Sequence, residues 1–138
     1  MIIAAFDPGR NVGFALVDGD GRLLRRAVLR HDEVAHLELP ASCTVVIGAG
    51  TGRRELRLEL AQRSLDVHVV DERGSSLEAR ELWKRAVPAR GLARMLPSGL
   101  RAPREPIDDF AAWAIALRYL GLDVAKVQPA VQNRARRA

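Results

Sequence analysis

Two short stretches of this chain are almost wholly apolar, Ile2–Phe6 and Cys43–Ile47, and each runs into chain-breaking residues, Asp7-Pro8-Gly9 and Gly48-Ala49-Gly50. A run of five with almost no polar side chain has no face to give to water. It reads as a strand covered on both sides, hence central in an α/β sheet. The other segments arrange themselves around these two. Val12–Val17 is a second strand, and Asp18-Gly19-Asp20-Gly21 is a hairpin turn, because Gly and Asp tolerate positive φ. The third strand, Arg22 to Arg30, mixes Leu23, Leu24, Val28 and Leu29 with Arg25 and Arg26, which suits a sheet edge. The chain therefore opens as an antiparallel meander.

The second half alternates helix and strand. His31 to Leu39 reads as one or two helical turns ahead of the Cys43–Ile47 strand. A helix follows from Arg53 to Ser64, then a short strand from Val67 to Val70. Ser75 and Glu78 have capping-box spacing, and the helix they open carries Ala79, Leu82, Trp83 and Ala86 on one face. A Pro-, Gly- and Arg-rich stretch spans 87–106. The last helix, Ile107 to Leu120, holds Ala111, Ala112, Ala114 and Ala116, small enough to approach a sheet closely. The order βββ, short helix, βαβαα predicts a mixed sheet whose later strands are parallel. A folded domain over 1–120 and a basic tail over 121–138 follow from it.

Composition narrows the function. At 138 residues, with 48% hydrophobic and 28% charged residues, the chain has the makeup of one folded domain. A single cysteine, Cys43, excludes a disulfide framework and any multi-cysteine zinc site; within its apolar run it reads as packing. The first apolar run lacks a basic flank and stops at Asp7, too soon for a signal peptide or a membrane span, so the expected location is the cytoplasm. The formal charge is +5, and only Lys84 and Lys126 among the basic residues are lysine. From Arg80 to Arg104 the basic residues are Arg80, Lys84, Arg85, Arg90, Arg94, Arg101 and Arg104, against the one acid Glu81, a net +6. A polyanion is the expected partner, with a solvated arginine-rich loop as the plainer alternative. With 4% aromatic residues, base stacking is not its main binding mode.

The acids fall at element ends. Asp7 closes the first strand, Asp71-Glu72 follows the fifth, and Asp108-Asp109 open the last helix. Each alone can be a turn former, a solvated loop or a helix cap. Together they converge, because parallel strands end on one side of a sheet and a helix starting there brings its acids to the same edge. Carboxylates gathered there repel one another until cations neutralise them, and oxygen donors without clustered His or Cys suit Mg²⁺ or Mn²⁺. Such an arrangement serves phosphoryl transfer. The glycines at 48, 50 and 52 lack the spacing and lysine of a nucleotide-binding loop.

These residues carry a resemblance. Phe6-Asp7-Pro8-Gly9 with Gly13-Phe14-Ala15, Val45-Val46-Ile47-Gly48, Val70-Asp71-Glu72-Arg73 with Ser75, Ser76 and Glu78-Ala79, and Ile107-Asp108 with Ala111-Ala112 and Leu117-Arg118-Tyr119-Leu120 follow one another as in the RuvC/YqgF branch of the RNase H-like superfamily. From 1 to about 120 the chain resembles that branch, its YqgF type most of all. The resemblance implies an RNase H-like five-stranded mixed sheet, strands 1–3 antiparallel and strands 4 and 5 parallel to strand 1, flanked by helices. It implies Asp7, Glu72 and Asp108 as catalytic and Mg²⁺- or Mn²⁺-binding carboxylates, with Asp109 in reserve. It further implies a nuclease acting on Holliday-junction-like branched DNA or on structured RNA such as an rRNA precursor. Arg10, Arg73, Lys84, Arg85, Arg90, Arg94, Arg101 and Arg104 are the expected nucleic-acid contacts. Junction enzymes of this branch act as pairs, so a homodimer is compatible with it. Two departures, Arg10-Asn11-Val12 where the YqgF type carries a Lys-Arg pair and Ala49-Gly50 where it carries Leu-Pro, motivate an alternative: a catalytically weak or inactive nucleic-acid-binding module of the same fold.

Overall fold

The computed structural model describes residues 1–49, 53–63, 66–71, 75–86 and 107–127. Five strands, β1 (Ile2–Pro8), β2 (Val12–Asp18), β3 (Leu23–Leu29), β4 (Thr44–Gly48) and β5 (Asp66–Val70), form one sheet in the order β3-β2-β1-β4-β5. β1 pairs antiparallel with β2, and β2 with β3, while β4 runs parallel to β1 and β5 parallel to β4. This is the mixed sheet, by order and direction, of the RNase H-like fold that the sequence led us to expect. The helices are α1 (Arg53–Ala61), α2 (Ser75–Ala86) and α3 (Asp108–Leu120), with short 3-10 turns at His31–His36 and Val124–Lys126.

The two apolar runs occupy the centre for the reason their composition gives. Successive side chains of a strand point to opposite faces, so a strand with helices on both sides needs apolar residues at every position. Ile3 and Ala5 of β1 join Ala15, Val17 and Val46 beneath α2 and α3. Ala4 and Phe6 join Phe14, Val45 and Ile47 beneath α1, where Leu56 and Leu60 close the opposite face together with Val34 and Cys43. Phe6 and Phe14 pack as a tilted pair, ring centres 5.3 Å apart. Cys43 is a buried packing residue whose thiol pKa is pushed up by burial, which makes it a poor nucleophile.

α3 is buried along nine consecutive residues, Asp109 to Leu117. A helix covered all round needs small residues where it meets neighbours, and the buried alanines at 111, 112, 114 and 116 supply them. Trp113 is its largest buried side chain, and the indole Nε1 donates to the Gly21 carbonyl at 2.9 Å, tying the helix to the β2–β3 turn. That turn forms as expected. Asp18 Oδ1 accepts from the amides of Asp20 and Arg22, each at 3.0 Å, and Gly21 adopts φ 86°.

Three differences from the sequence expectation bear on the packing. α1 ends at Ala61, three residues early, where Gln62 and Arg63 turn away. α2 takes in Ser75 as its first residue, and the Glu78 carboxylate is bound by Arg118 of α3. The packed chain also continues past Leu120: Val127 is buried in the core beneath α3, and the Arg85 guanidinium donates to the carbonyls of Val124, Ala125 and Val127. The sequence hid this because Gly121–Val127 is short, is interrupted by Asp123 and Lys126, and buries only Val127 fully.

Candidate functional site

The register places Asp7 at the end of β1 beside Gly13 of β2, and one step past the Phe6–Ile47 pair of β4. Parity does the rest. Asp7 follows Ile3 and Ala5 on the face covered by α3, and Gly13 precedes Ala15 and Val17 on that same face. A Cβ placed on Gly13 would lie 1.8 Å from the Asp108 carbonyl oxygen and 2.3 Å from its carbon. Gly13 is therefore the seat on which the first turn of α3 rests, and the seat is paired with Asp7. The sheet and the helix start bring Asp7 and Asp108 to one edge, both half-buried. β5 ends at that edge too, with Val70 level with Gly48. Two strand spacings separate β5 from β1, about 10 Å.

The two acids that open α3 have different surroundings. Asp109 is buried, 4% exposed, and both of its oxygens are occupied. Oδ2 lies 2.7 Å from Arg26 Nη1 on β3, and Oδ1 accepts the Phe110 amide at 3.0 Å. The Arg26 guanidinium also sits over the Phe110 ring, 4.9 Å from its centre. Asp109 thus pins the helix start to the sheet edge. Burial, and then the neighbouring Asp109 carboxylate, push the Asp108 pKa above the usual carboxylate range. A carboxylate disfavoured in this way gains from any cation that reaches it.

Asp7 and Asp108 are hard oxygen donors at one edge, and the chemistry of that pair fits Mg²⁺ or Mn²⁺. Among the described residues no three His, Cys, Asp or Glu side chains form a metal-sized group. Glu72, the third expected carboxylate, lies outside the described residues, as do Arg73, Arg90, Arg94, Arg101 and Arg104. Of the other expected phosphate contacts, Arg10 is exposed in the β1–β2 turn beside Asp7, and Lys84 is half-buried on α2. The Arg85 guanidinium donates to the carbonyls of Val124, Ala125 and Val127.

Sequence reading missed the residues that build the edge rather than line it. Gly13 carried a signal, since a glycine inside an apolar strand marks close backbone approach. His31 hydrogen-bonds the Gly9 carbonyl at 2.7 Å and so braces the turn after Asp7. Arg26 and Arg118 gave no local signal, because their partners lie 83 and 40 residues away.

No protein-family model and no curated protein matches the chain. Among solved structures, T. thermophilus RuvC in complex with a Holliday junction substrate aligns over 85% of this chain and 91% of that one, at 20% identity and a TM-score of 0.43. A likeness at that level assigns neither activity nor substrate, and the strand order and pairing of this chain carry the fold by themselves.

Proposed function

We propose that this chain is a divalent-metal-dependent nuclease of the RuvC/YqgF type, acting on phosphodiester bonds of branched DNA or structured RNA. The observation that carries the reading is the pairing of Asp7 with Gly13, on which the start of α3, and with it Asp108, is seated. In this reading Asp7 and Asp108, joined by Glu72, hold Mg²⁺ or Mn²⁺. When bound, the ion supplies Lewis-acid polarisation of a phosphoryl oxygen.

The chain's own residues do the rest. Arg26 neutralises Asp109, so among the described residues the negative charge left at the helix start belongs to Asp108. Exposed Arg10, on the turn next to Asp7, meets a phosphate of the bound strand. The arginine-rich stretch ending at Arg104 adds positive charge that attracts phosphates and makes binding fall steeply with salt. Acting as a pair of copies would suit two symmetric nicks in a junction.

The test is cleavage of labelled four-way-junction DNA and of structured RNA with Mg²⁺ or Mn²⁺. The expected result is metal-dependent cutting by the wild type that Asp7→Asn and Asp108→Asn each abolish. If the wild type cuts neither substrate, or Asp7→Asn cuts as well as it does, the reading fails. Salt-sensitive binding without cutting would favour the binding-module alternative.

A further inference from the structure

Arg118 joins three elements that the sequence keeps far apart. It lies in the last turn of α3, its side chain 24% exposed. Its Nε and Nη2 both reach Glu78 Oε1 at 2.6 Å, in the first turn of α2, and its Nη1 donates to the Asp71 carbonyl at 2.9 Å. Each charge also sits at the favourable end of its own helix, the cation at a C-terminus and the anion at an N-terminus. Short charge-assisted bonds between half-buried partners hold geometry more tightly than surface pairs do.

The carbonyl it grips is the last described backbone group of the β5 end. That strand ends level with Gly48, at the edge where Asp7 and Asp108 lie. The helix that carries Arg118 in its last turn carries Asp108 in its first. One rigid helix therefore touches the edge twice, through its seat on Gly13 and through the guanidinium on Asp71. We propose that Arg118 is a positioning residue: it fixes the point at which the chain leaves β5 relative to Asp7 and Asp108, and thereby sets divalent-ion affinity. This deepens the metal-dependent reading and rests on it. In this role Arg118 acts through Glu78 and the Asp71 carbonyl, not on the ion or the substrate. The conservative lysine keeps a charge for Glu78 but has no planar fork to hold Glu78 and the Asp71 carbonyl together.

Two measurements on the full chain test this. The first is amide hydrogen exchange in wild type, Arg118→Met and Arg118→Lys, with no metal added. Loss of the grip should speed exchange of the 69–71 amides about tenfold or more, leaving β1 and β2 unchanged. The second is Mn²⁺ binding by calorimetry, with Asp7→Asn as the control that should lose it. Arg118→Met should weaken Mn²⁺ about 10–100-fold, as loss of a group that orients metal ligands does, with Arg118→Lys between it and wild type. A purely structural role would lower the melting temperature yet leave Mn²⁺ affinity of the folded protein unchanged, and that result overturns the proposal. So does unchanged exchange at 69–71. If the wild type binds no Mn²⁺, the metal reading itself falls, and with it the affinity half of the proposal; exchange then decides whether Arg118 fixes the end of β5. Should Arg118→Met not fold, Arg118→Lys carries both comparisons.

Discussion

Gly13→Ala tests whether the edge is built as described. The added methyl would sit 1.8 Å from the Asp108 carbonyl oxygen, 2.3 Å from its carbon and 3.0 Å from its Cβ. Ordinary contact begins near 3.4 Å, so the start of α3 must withdraw by about 1.5 Å. It has little freedom to do so, because Asp109 to Leu117 are buried without interruption. Overpacking of this kind costs about 1–3 kcal/mol. Withdrawal also stretches the 2.7 Å Arg26–Asp109 pair, and parting a buried pair adds about 3 kcal/mol. The sum is roughly 4–6 kcal/mol, a large share of the ~5–15 kcal/mol that holds a domain of this kind together. At about 3 °C per kcal/mol for this size, the melting temperature falls by roughly 10–20 °C. Thermal and urea unfolding, followed by circular dichroism and by fluorescence of buried Trp113, read it directly. The control is Gly19→Ala, whose Cβ would meet, among the described residues, only Met1 atoms at 3.7 and 3.9 Å, so its cost should stay within about 0.5 kcal/mol. If Gly13→Ala melts within a few degrees of wild type, α3 is not seated on Gly13 and Asp108 is not held beside Asp7.

Three further outcomes are expected. Arg26→Ala leaves the Asp109 carboxylate buried without its cation and should cost about 3 kcal/mol by urea unfolding; adding Asp109→Asn should recover part of that, and no recovery would mean the ion pair is not what Arg26 contributes. Because the Asp108 pKa is raised in the fold, its ionised form is a cost to stability that shrinks once pH falls below the folded value and is gone at that of a free carboxylate. Asp108→Asn should therefore melt above wild type at pH 7 without divalent ions, the gap closing toward the pKa of a free carboxylate; a variant that melts lower at pH 7 contradicts the sign. Gly121 has φ 72°, and a methyl added there would meet no described atom within 4 Å, so Gly121→Ala should cost only the left-handed strain, about 1 kcal/mol; a larger loss in urea unfolding would reveal a contact the helix end does not show.

Most of the architecture could be read from the sequence because it rests on local patterns. Ile2–Phe6 and Cys43–Ile47 announce themselves as central by lacking a polar face, and the Asp-Gly-Asp-Gly turn fixes the hairpin. Edge position for β3 followed from Arg25 and Arg26. Asp7 and Asp108 could be named as candidates because strand ends and helix starts gather on one side of an α/β sheet. What local patterns could not show by themselves was how the surroundings of Asp108 and Asp109 differ; only the resemblance put Asp108 ahead of Asp109. Adjacent helical residues point about 100° apart, so only one of them can face the strand on which the helix rests. Choosing between them requires the rotation of α3 about its axis, which a sequence reveals through an apolar stripe. α3 has no such stripe, being buried on every side from 109 to 117. Its rotation is set instead by two contacts remote in sequence, the bare Gly13 under the Asp108 backbone and Arg26 reaching Asp109. The arginine that reads in sequence as an edge charge thus separates the two acids: Arg26 takes Asp109 into an ion pair, while Asp108 has no ion pair among the described residues.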